Sequence, residues 1–292
     1  MTLRPRRSVL YMPGSNARAL DKAKQLPADT LILDLEDSVA PDAKLAARDQ
    51  VTQAVKGGAY GKRELIIRIN ALDTQWSADD IAAAAAAGPN GILLPKVSGP
   101  SDVEQATDAL RRAGAPEKTK LWAMIETPVG VIHAAKIAAT ARQAGGRLSC
   151  FVLGLNDLHK ETRAEVMPDR LSAVYWLSAC ITAARAYGID ILDSVFNNFR
   201  DAEGYKRECV QGRQLGFDGK TLIHPDQIAT ANEIFSPSTD EVAAARKIVA
   251  AFELPENKSK GVINLDGRMV ELLHAEMAKR TVAIADAIAA MA

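Results

Sequence analysis

The sequence is short of cysteines, of aromatic residues and of long apolar runs. It has three cysteines in 292 residues, and 5% of its residues are aromatic. Cys150, Cys180 and Cys209 form no CxxC pair and are too few to cross-link a chain of this size, which is typical of a protein in a reducing compartment. No apolar run reaches the ~18 residues that a membrane-spanning helix needs. We therefore expect a cytoplasmic protein with no membrane-embedded segment.

An excess of one sign of charge is also missing. The chain has 36 Lys and Arg residues against 36 Asp and Glu residues, so its formal net charge at pH 7 is zero. A balanced chain has no extended positive field to hold the phosphates of a nucleic acid or the surface of an anionic membrane. Its one basic cluster, Arg4, Arg6 and Arg7, precedes the first predicted strand and is expected to be a solvated N-terminal arm. Nucleic acids and membranes are therefore poor partners.

Sequence signals for a covalent catalyst or a zinc site are missing as well. No G-x-S-x-G motif is present, and none of the cysteines has a histidine beside it. His133, His159 and His274 lack metal-like spacing with one another, and His224 fits a structural role at a strand end as well as it fits a ligand. Neither a nucleophile nor a zinc site is predicted.

What the sequence does contain is a regular alternation of short apolar segments with alanine-rich amphipathic segments. Eight segments have the composition of strands, and they read SVLYM, TLILDLE, ELIIRIN, GILLPKV, KLWAMIE, SCFVLGL, DILDSVF and GKTLIHP. Helix-like segments follow them near residues 16–26, 42–56, 77–87, 101–113, 129–143, 170–186, 201–215 and 225–235. Eight strand–helix units predict an α/β fold, the (β/α)₈ TIM barrel. An open doubly wound sheet is the structural alternative.

The barrel is expected to form a catalytic domain over residues 1–235. Residues 236–292 are expected to form a C-terminal helical extension. In it, a helix reaches Phe252, the segment ELPENKSKGVINLDGR makes a loop, and a final helix covers roughly 268–290.

Polar residues accumulate at the carboxyl ends of the predicted strands, where TIM barrels carry their active sites. The set is Glu36, Asp37, Arg68, Asn70, Lys96, Glu126, Thr127, Asn156, Asp157, Asp193, Ser194, Asn197, Lys220 and His224. Glu126 and Asp157 end adjacent strands, so their carboxylates should converge, as a Mg²⁺ site requires. Two carboxylates at helix starts are the alternative. Arg68 lies in an apolar strand and needs a partner, which is either a substrate carboxylate or an internal ion pair with Glu36 or Asp37.

The segment YMPGSNARALDKAKQ follows the first strand and combines a helix start with positive charge. Residues 14–16 offer free backbone N–H groups, and Arg18, Lys22 and Lys24 lie beyond them. Such a combination suits an anion such as a phosphate. A simple strand–helix turn with solvated lysines is the alternative.

Seven segments in order resemble one known family. They are RSVLYMPGSNARALDKA, ADTLILDLEDSVAP, IIRIN, GILLPKV, AMIETPVG, VLGLNDL and GKTLIHPDQI. Together they resemble the citrate lyase β-subunit-like family of the HpcH/HpaI aldolase superfamily, which includes malyl-CoA and citramalyl-CoA lyases. The resemblance runs from about Arg7 to the last helix. It implies a (β/α)₈ barrel, Mg²⁺ dependence, and reversible cleavage of a C–C bond in a 3-hydroxy-3-carboxyacyl thioester of coenzyme A.

Carried over by motif, the resemblance implies a role for each polar residue at the mouth of the barrel. It implies that Glu126 and Asp157 bind Mg²⁺ directly and that Glu36 and Asp37 hold its water molecules. It also implies that Arg68 binds the oxo-acid end of the substrate. The family often has glutamate where this chain has Asn156, and the resemblance assigns no role to residues 159–170.

Two further expectations concern Asp34 and the coenzyme. Asp34 shares a strand face with Glu36 and is expected to brace Arg68 or Lys96 rather than touch the substrate. The implied contacts of coenzyme A are Tyr11, Pro13, Arg18, Lys22, Lys24 and His224.

The tail segment NLDGRMVE resembles a DGxM segment of the CoA-dependent lyases, in which an aspartate enters the active site of a neighbouring subunit. Asp266 would then act in acid/base chemistry at the acetyl carbon, which requires a homo-oligomer, a trimer or a hexamer. The alternative for Asp266 is a cap on the final helix.

The expected reaction is Mg²⁺-dependent cleavage of malyl-CoA or citramalyl-CoA to acetyl-CoA and glyoxylate or pyruvate. Three alternatives remain open: thioester hydrolysis of malyl-CoA, citryl cleavage on an acyl-carrier protein, and a non-catalytic protein that binds an acyl-CoA or oxo acid.

Overall fold

Eight parallel strands close into a barrel in the computed structural model, which describes residues 3–291. The strands are β1 (Ser8–Pro13), β2 (Thr30–Asp34), β3 (Glu64–Arg68), β4 (Gly91–Leu94), β5 (Lys120–Ile125), β6 (Leu148–Leu153), β7 (Asp190–Asp193) and β8 (Gly219–Leu222). Each strand pairs with the next along the chain, and β8 pairs with β1. The predicted TIM barrel is therefore confirmed, and the open sheet is excluded.

Helices follow the strands of the barrel along the chain. They are α1 (Ala17–Ala23), α2 (Lys44–Lys56), α3 (Ser77–Ala87), α4 (Pro100–Arg112), α5 (Pro128–Ile132), α6 (Ala134–Ala139), α7 (Leu155–Thr162), α8 (Val174–Tyr187), α9 (Ala202–Leu215) and α10 (Ile228–Ile234). After them come α11 (Thr239–Glu253), β9 (Val262–Leu265), β10 (Arg268–Glu271) and α12 (Leu272–Met291). Within residues 3–291, no helix is both long and apolar enough to cross a membrane.

The described residues form two compact units. Residues 6–232 make up the barrel unit, and residues 233–291 together with 3–5 make up the C-terminal unit. The predicted domain boundary after residue 235 stays a prediction.

The C-terminal unit contains a hairpin where the sequence predicted a loop. Strands β9 and β10 pair antiparallel, with Leu265 opposite Arg268. The two residues between them, Asp266 and Gly267, both have positive φ, 53° and 78°. Asp-Gly is the preferred dipeptide of such a two-residue turn, because both positions need left-handed backbone. The final helix consequently begins at Leu272, later than predicted.

Alternate residues of the barrel strands point inward and form layers. One apolar cluster in the barrel contains Val9, Ile32, Ile66, Leu93, Trp122, Met124, Cys150, Val152 and Leu192. Asp34 follows Ile32 by two residues, and Arg68 follows Ile66 by two. Because side chains alternate along a strand, these two polar residues lie on the same faces, one layer nearer the carboxyl ends. The apolar layer thus forms a floor beneath the polar one.

The predicted solvated N-terminal arm is wrong for Arg6 and Arg7. Arg6 binds Glu64 through Nε at 2.7 Å and Nη2 at 2.8 Å, it pairs with Asp190, and its guanidinium carbon lies 4.9 Å from the centre of the Trp122 ring. Arg7 binds Asp29 through Nε at 2.8 Å and Nη2 at 2.7 Å. The reason is that bidentate ion pairs with carboxylates near the amino ends of the strands compensate the buried guanidinium groups.

Closure of the barrel between β8 and β1 depends on a glycine. A Cβ atom on Gly219 would clash with the carbonyl group of Arg6 and lie 2.8 Å from the Cα atom of Arg7. We predict that Gly219→Ala lowers the free energy of unfolding by about 2 kcal/mol, because backbone atoms of β1 cannot move aside cheaply. Urea unfolding followed by far-ultraviolet circular dichroism measures the change.

Gly99→Ala is the matched control for Gly219→Ala. The backbone at Gly99 is extended, and the nearest atom to an added Cβ is the flexible Ser101 Oγ at 3.6 Å. Its effect should stay below about 1 kcal/mol. Equal losses in the two variants would contradict the role assigned to Gly219.

Candidate active site

A cavity of about 410 Å³ lies at the carboxyl ends of the strands. Residues at or just after strand ends line it, among them Pro13 at the end of β1, Asp157 after β6 and Ile223 after β8. The active site of a TIM barrel is built at this end. The cavity is therefore the candidate active site.

Arg68 occupies the cavity wall as part of a buried ion pair. Its Nε and Nη2 atoms donate to the two carboxylate oxygens of Asp34 at 2.6 and 2.7 Å. The carboxylate also accepts the N–H groups of Glu36 at 2.9 Å and Ser38 at 3.1 Å. Burial by itself would raise the pKa of Asp34, but Arg68 and these hydrogen bonds hold it below its usual range. The expectation that Asp34 braces Arg68 is confirmed.

The ion pair of Arg68 with Glu36 or Asp37, which the sequence offered as an alternative to a substrate carboxylate, is also present. The Nη1 atom of Arg68 lies 2.8 Å from Glu36 Oε2, in an ion pair without hydrogen-bond geometry, and 3.6 Å from Asp37 Oδ2. Burial raises the pKa of Glu36 to about 7; Arg68 opposes the rise, while Asp37 and Asp34 add to it. Asp37 differs from Glu36 in being exposed and in lining the cavity.

A buried lysine that sequence reasoning missed supports this loop. Lys44 Nζ donates to the carbonyl oxygens of Leu35 and Glu36 and to Asn70 Oδ1, each at 2.7 Å. Lys44 begins α2, and its partners are eight to 26 positions away in the chain. In the sequence, Lys44 has the context of a solvent-exposed helix residue, so no local pattern predicts its burial or its hydrogen bonds.

Glu126 follows β5 and is 1% exposed. Its Oε1 accepts the backbone N–H of Lys96 at 2.7 Å, and Lys96 adopts a left-handed φ of 56°. A Cβ on Gly154 would lie 2.7 Å from Glu126 Oε2, so only glycine leaves room for this carboxylate. Thr127, not Glu126, caps α5, because its hydroxyl accepts the N–H of Gly130 at 3.0 Å.

Asp157 lies in the first turn of α7 and lines the cavity. It is close enough to Glu126 to affect its titration. Burial raises the pKa of Glu126 to about 8, and the charges of Glu36 and Asp157 contribute to the rise. Lys96 is the nearby cation, half exposed, with Nζ 3.8 Å from Glu36 Oε1.

These groups fit a divalent cation with an incomplete set of protein ligands. Among residues 3–291, no three His, Cys, Asp or Glu side chains form a complete metal-binding group. Mg²⁺ commonly takes one or two carboxylates and completes its coordination with water and substrate. Glu126 and Asp157 could supply those two carboxylates, and a bound cation would oppose the burial and the neighbouring negative charges that raise the pKa of Glu126.

The predicted coenzyme contacts fall into two groups. Tyr11 and Pro13 line the cavity. Arg18, Lys22 and Lys24 are exposed at α1 and are not part of the cavity lining, and Lys24 pairs with Asp21 at 2.9 Å. The phosphate site at α1 stays a prediction.

His224 lies after β8 and stacks on Phe199, with ring centres 4.6 Å apart. Its Nδ1 accepts the N–H of Asp226 at 3.2 Å, which caps the following turn. The side chain therefore has a structural role, as one of the two sequence-based alternatives expected, and its coenzyme contact stays a prediction.

Asp266 belongs to the C-terminal unit, whereas the cavity belongs to the barrel unit. It lies in the turn of the β9–β10 hairpin with 64% of its side chain exposed and pairs with Lys247. Its catalytic role and the homo-oligomer stay predictions.

Two polar contacts near the carboxyl ends of β6 and β7 were not assigned from the sequence. Asn156 and Asn197 form a reciprocal amide pair, with N···O distances of 3.3 and 2.8 Å. Arg170, at the end of the segment that had no assigned role, donates twice at 2.8 Å to Asp193, which also binds Lys220 at 3.1 Å. Arg170 thus anchors residues 159–170 to the end of β7. The contact could not be predicted because Arg170 and Asp193 are far apart in the sequence.

The raised pKa of Glu126 predicts how pH affects stability in the absence of metal. Between its ordinary pKa of 4.5 and about 8, the unfolded chain releases a proton that the folded protein keeps, so folding becomes less favourable as pH rises. Glu126→Gln removes this effect and can still accept the Lys96 N–H. With a chelator present, the variant should gain about 4 kcal/mol relative to the wild type between pH 5 and pH 9. Urea unfolding at both pH values measures the gain, and a difference independent of pH would contradict it.

Comparison with known proteins identifies the family of the chain. Residues 7–225 match the HpcH/HpaI aldolase/citrate lyase family. A (3S)-malyl-CoA thioesterase of Cereibacter sphaeroides is 48% identical over 286 residues, which cover 98% of this chain and 96% of that protein. The citrate lyase β subunit of Escherichia coli is 36% identical over 273 residues, covering 92% and 89%.

A solved structure shares both the barrel and the C-terminal region. CitE from Mycobacterium tuberculosis, in complex with magnesium, acetoacetate and coenzyme A, is 29% identical and has a TM-score of 0.73. The match covers 96% of this chain and 98% of CitE. Together, the family match and the near full-length relatives show that the chain belongs to the HpcH/HpaI aldolase/citrate lyase family.

Proposed function

We propose that this protein is a Mg²⁺-dependent enzyme that hydrolyses a malyl-CoA-type thioester to malate and coenzyme A. The observation that carries the proposal is the pair of carboxylates, Glu126 and Asp157, beside a cavity of about 410 Å³. Relatives named (3S)-malyl-CoA thioesterase at 48% identity support hydrolysis as the reaction. The CitE complex with magnesium and coenzyme A supports both groups as ligands.

The cation would be held by Glu126 and Asp157, with Glu36 and Asp37 hydrogen-bonded to its water molecules. When bound, Mg²⁺ supplies Lewis-acid polarisation of substrate oxygens. Arg68 is held rigidly by Asp34 and lines the cavity, so its outward N–H groups are placed to orient the substrate carboxylate.

Hydrolysis also needs a group that removes a proton from the attacking water. Asp37 lines the cavity with 66% of its side chain exposed, which gives a water molecule access to its carboxylate. We assign that role to Asp37. Glu36 is buried beside Arg68 and holds the guanidinium instead.

Cleavage of the C–C bond is the second candidate, and the relatives named citrate lyase subunit beta favour it. A further CitE structure from M. tuberculosis, in complex with magnesium and pyruvate, shows an oxo acid bound in the same fold at 28% identity and a TM-score of 0.65. In this reaction Asp266 from a second subunit of a homo-trimer or homo-hexamer would protonate the acetyl carbon. Its exposed position in a hairpin turn is compatible with that role.

The products distinguish the two reactions. The purified protein is incubated with Mg²⁺ and malyl-CoA or citramalyl-CoA, and CoA, acetyl-CoA, malate, glyoxylate and pyruvate are quantified. We expect free CoA and malate in equal amounts from malyl-CoA. Acetyl-CoA in step with glyoxylate or pyruvate would establish the lyase instead, and no product from either thioester would contradict both.

The metal site predicts a difference between two carboxylates of α7. Asp157→Asn should weaken Mg²⁺ binding at least about tenfold and raise the Mg²⁺ concentration needed for activity, because one of two protein ligands loses its charge. Glu161→Gln is the matched control, since Glu161 is exposed on the same helix and does not line the cavity. Calorimetric titration with Mg²⁺ and activity against Mg²⁺ concentration provide the measurements. Equal Mg²⁺ affinity in the two variants would rule out Asp157 as a ligand.

A further inference from the structure

Tyr11 forms part of the floor of the cavity. It lies on the inward face of β1, two residues beyond Val9, and packs against the apolar layer of the barrel. The guanidinium carbon of Arg68 lies 4.9 Å from the centre of its ring. Tyr11, Arg68 and Met124 all line the cavity, so the Tyr11 ring borders the space where a ligand would bind.

The hydroxyl group of Tyr11 has a poor partner. It contacts Met124 Sδ at 3.9 Å, and a thioether is a weak hydrogen-bond acceptor. The hydroxyl groups of Tyr60 and Tyr205 instead donate to the carbonyl oxygens of Leu20 and Gln227, each at 3.0 Å. Since buried hydroxyl groups normally have an oxygen or nitrogen partner, Tyr11 has a donor still available.

The surroundings of Tyr11 favour a donor and an anionic acceptor. Burial raises the pKa of Tyr11 well above its usual range, so the hydroxyl group keeps its proton. Arg68 is a cation in contact with the ring, but all three of its nitrogens face Asp34 or Glu36, which leaves only the outward N–H bonds of its Nη atoms for a ligand. A substrate carboxylate arriving here would therefore need a further donor besides Arg68.

We propose that the Tyr11 hydroxyl group donates a hydrogen bond to a carboxylate oxygen of the substrate's acyl group, next to Arg68. The inference rests on the proposed function and names the part of the substrate that reaches the floor of the cavity. Tyr11 is then a residue that selects small 2-hydroxy or 2-oxo acids. The carboxylate replaces Met124 as acceptor, and the ring stays packed on Arg68.

Tyr11→Phe tests the proposal because it removes the hydroxyl group and keeps the ring. The probes are free malate and glyoxylate, the acids that hydrolysis and cleavage would release, titrated calorimetrically with Mg²⁺ present. Loss of a hydrogen bond to a charged group should weaken binding roughly ten- to a hundredfold. The melting temperature of Tyr11→Phe should equal that of the wild type, because the substitution removes only a contact with a thioether.

Tyr60→Phe is the matched control. It also removes one buried hydroxyl group, but it leaves the carbonyl oxygen of Leu20 without its partner, outside the cavity. Its melting temperature should fall, and its affinity for the two acids should match that of the wild type. The two variants thus separate ligand binding from stability.

Three outcomes overturn the assignment of Tyr11. They are wild-type affinity for both acids in Tyr11→Phe, an equal loss of affinity in Tyr60→Phe, and no binding of either acid by the wild type. Thioester turnover by the wild type is measured separately. If the wild type hydrolyses the thioester and Tyr11→Phe binds the free acids as tightly as the wild type, the role of Tyr11 is rejected and the proposed function stands. If the wild type binds the acids but does not turn over the thioester, only the proposed function is rejected.

Discussion

The site depends on one electrostatic constraint: more carboxylates than cations are collected at one end of a closed barrel. Asp34 and Arg68 neutralise each other in a bidentate pair. Glu36, which also pairs with Arg68 at 2.8 Å, and Glu126 add two further buried carboxylates, and the half-exposed Lys96 lies 3.8 Å from Glu36. Burying more carboxylates than cations is unfavourable, and burial raises the pKa of Glu36 to about 7 and that of Glu126 to about 8, although Arg68 opposes both shifts. A divalent cation bound here would favour the ionised form of both carboxylates.

Backbone features maintain the arrangement. Gly154 leaves space for the Glu126 carboxylate, and the left-handed backbone at Lys96 directs an N–H group at it. Gly14 plays a similar part at β1, because a Cβ there would meet the side chain of Val51 at 2.9 Å and the carbonyl group of Asp34 closer still. A non-glycine residue with positive φ costs free energy, so the surrounding contacts must hold Lys96 in place. The charges are thus fixed by local chain geometry as well as by their partners.

Much of the fold and the site could be predicted from the sequence, because both follow from periodicity. Eight apolar segments alternate with helices, and the end of a strand is a position that can be read from the chain. Because active-site residues of a TIM barrel follow the ends of its strands, the sequence predicted Arg68 and Asp157, which line the cavity, and Glu126, which lies beside it. The Asp266–Gly267 turn was also readable, and it was missed because the flanking strands are only four residues each.

The remainder depends on contacts between residues far apart in the chain. Arg6 resembles part of a basic arm until the fold brings Glu64 and Asp190 to it. Lys44 and Arg170 have the sequence context of surface residues, and only the closed barrel shows that they hold loops of the site. Periodicity predicts where elements begin and end, but it carries no information on which charges will meet.

Calorimetric titration of the metal-free protein with Mg²⁺ at pH 7, in buffers of different ionisation enthalpy, tests the central claim most directly. A carboxyl group with a pKa of about 8 must lose its proton to bind a cation. We predict binding with release of about one proton per Mg²⁺, and loss of that release in Glu126→Gln. Absence of Mg²⁺ binding, or binding whose heat does not depend on the buffer, would contradict the account of the carboxylate cluster.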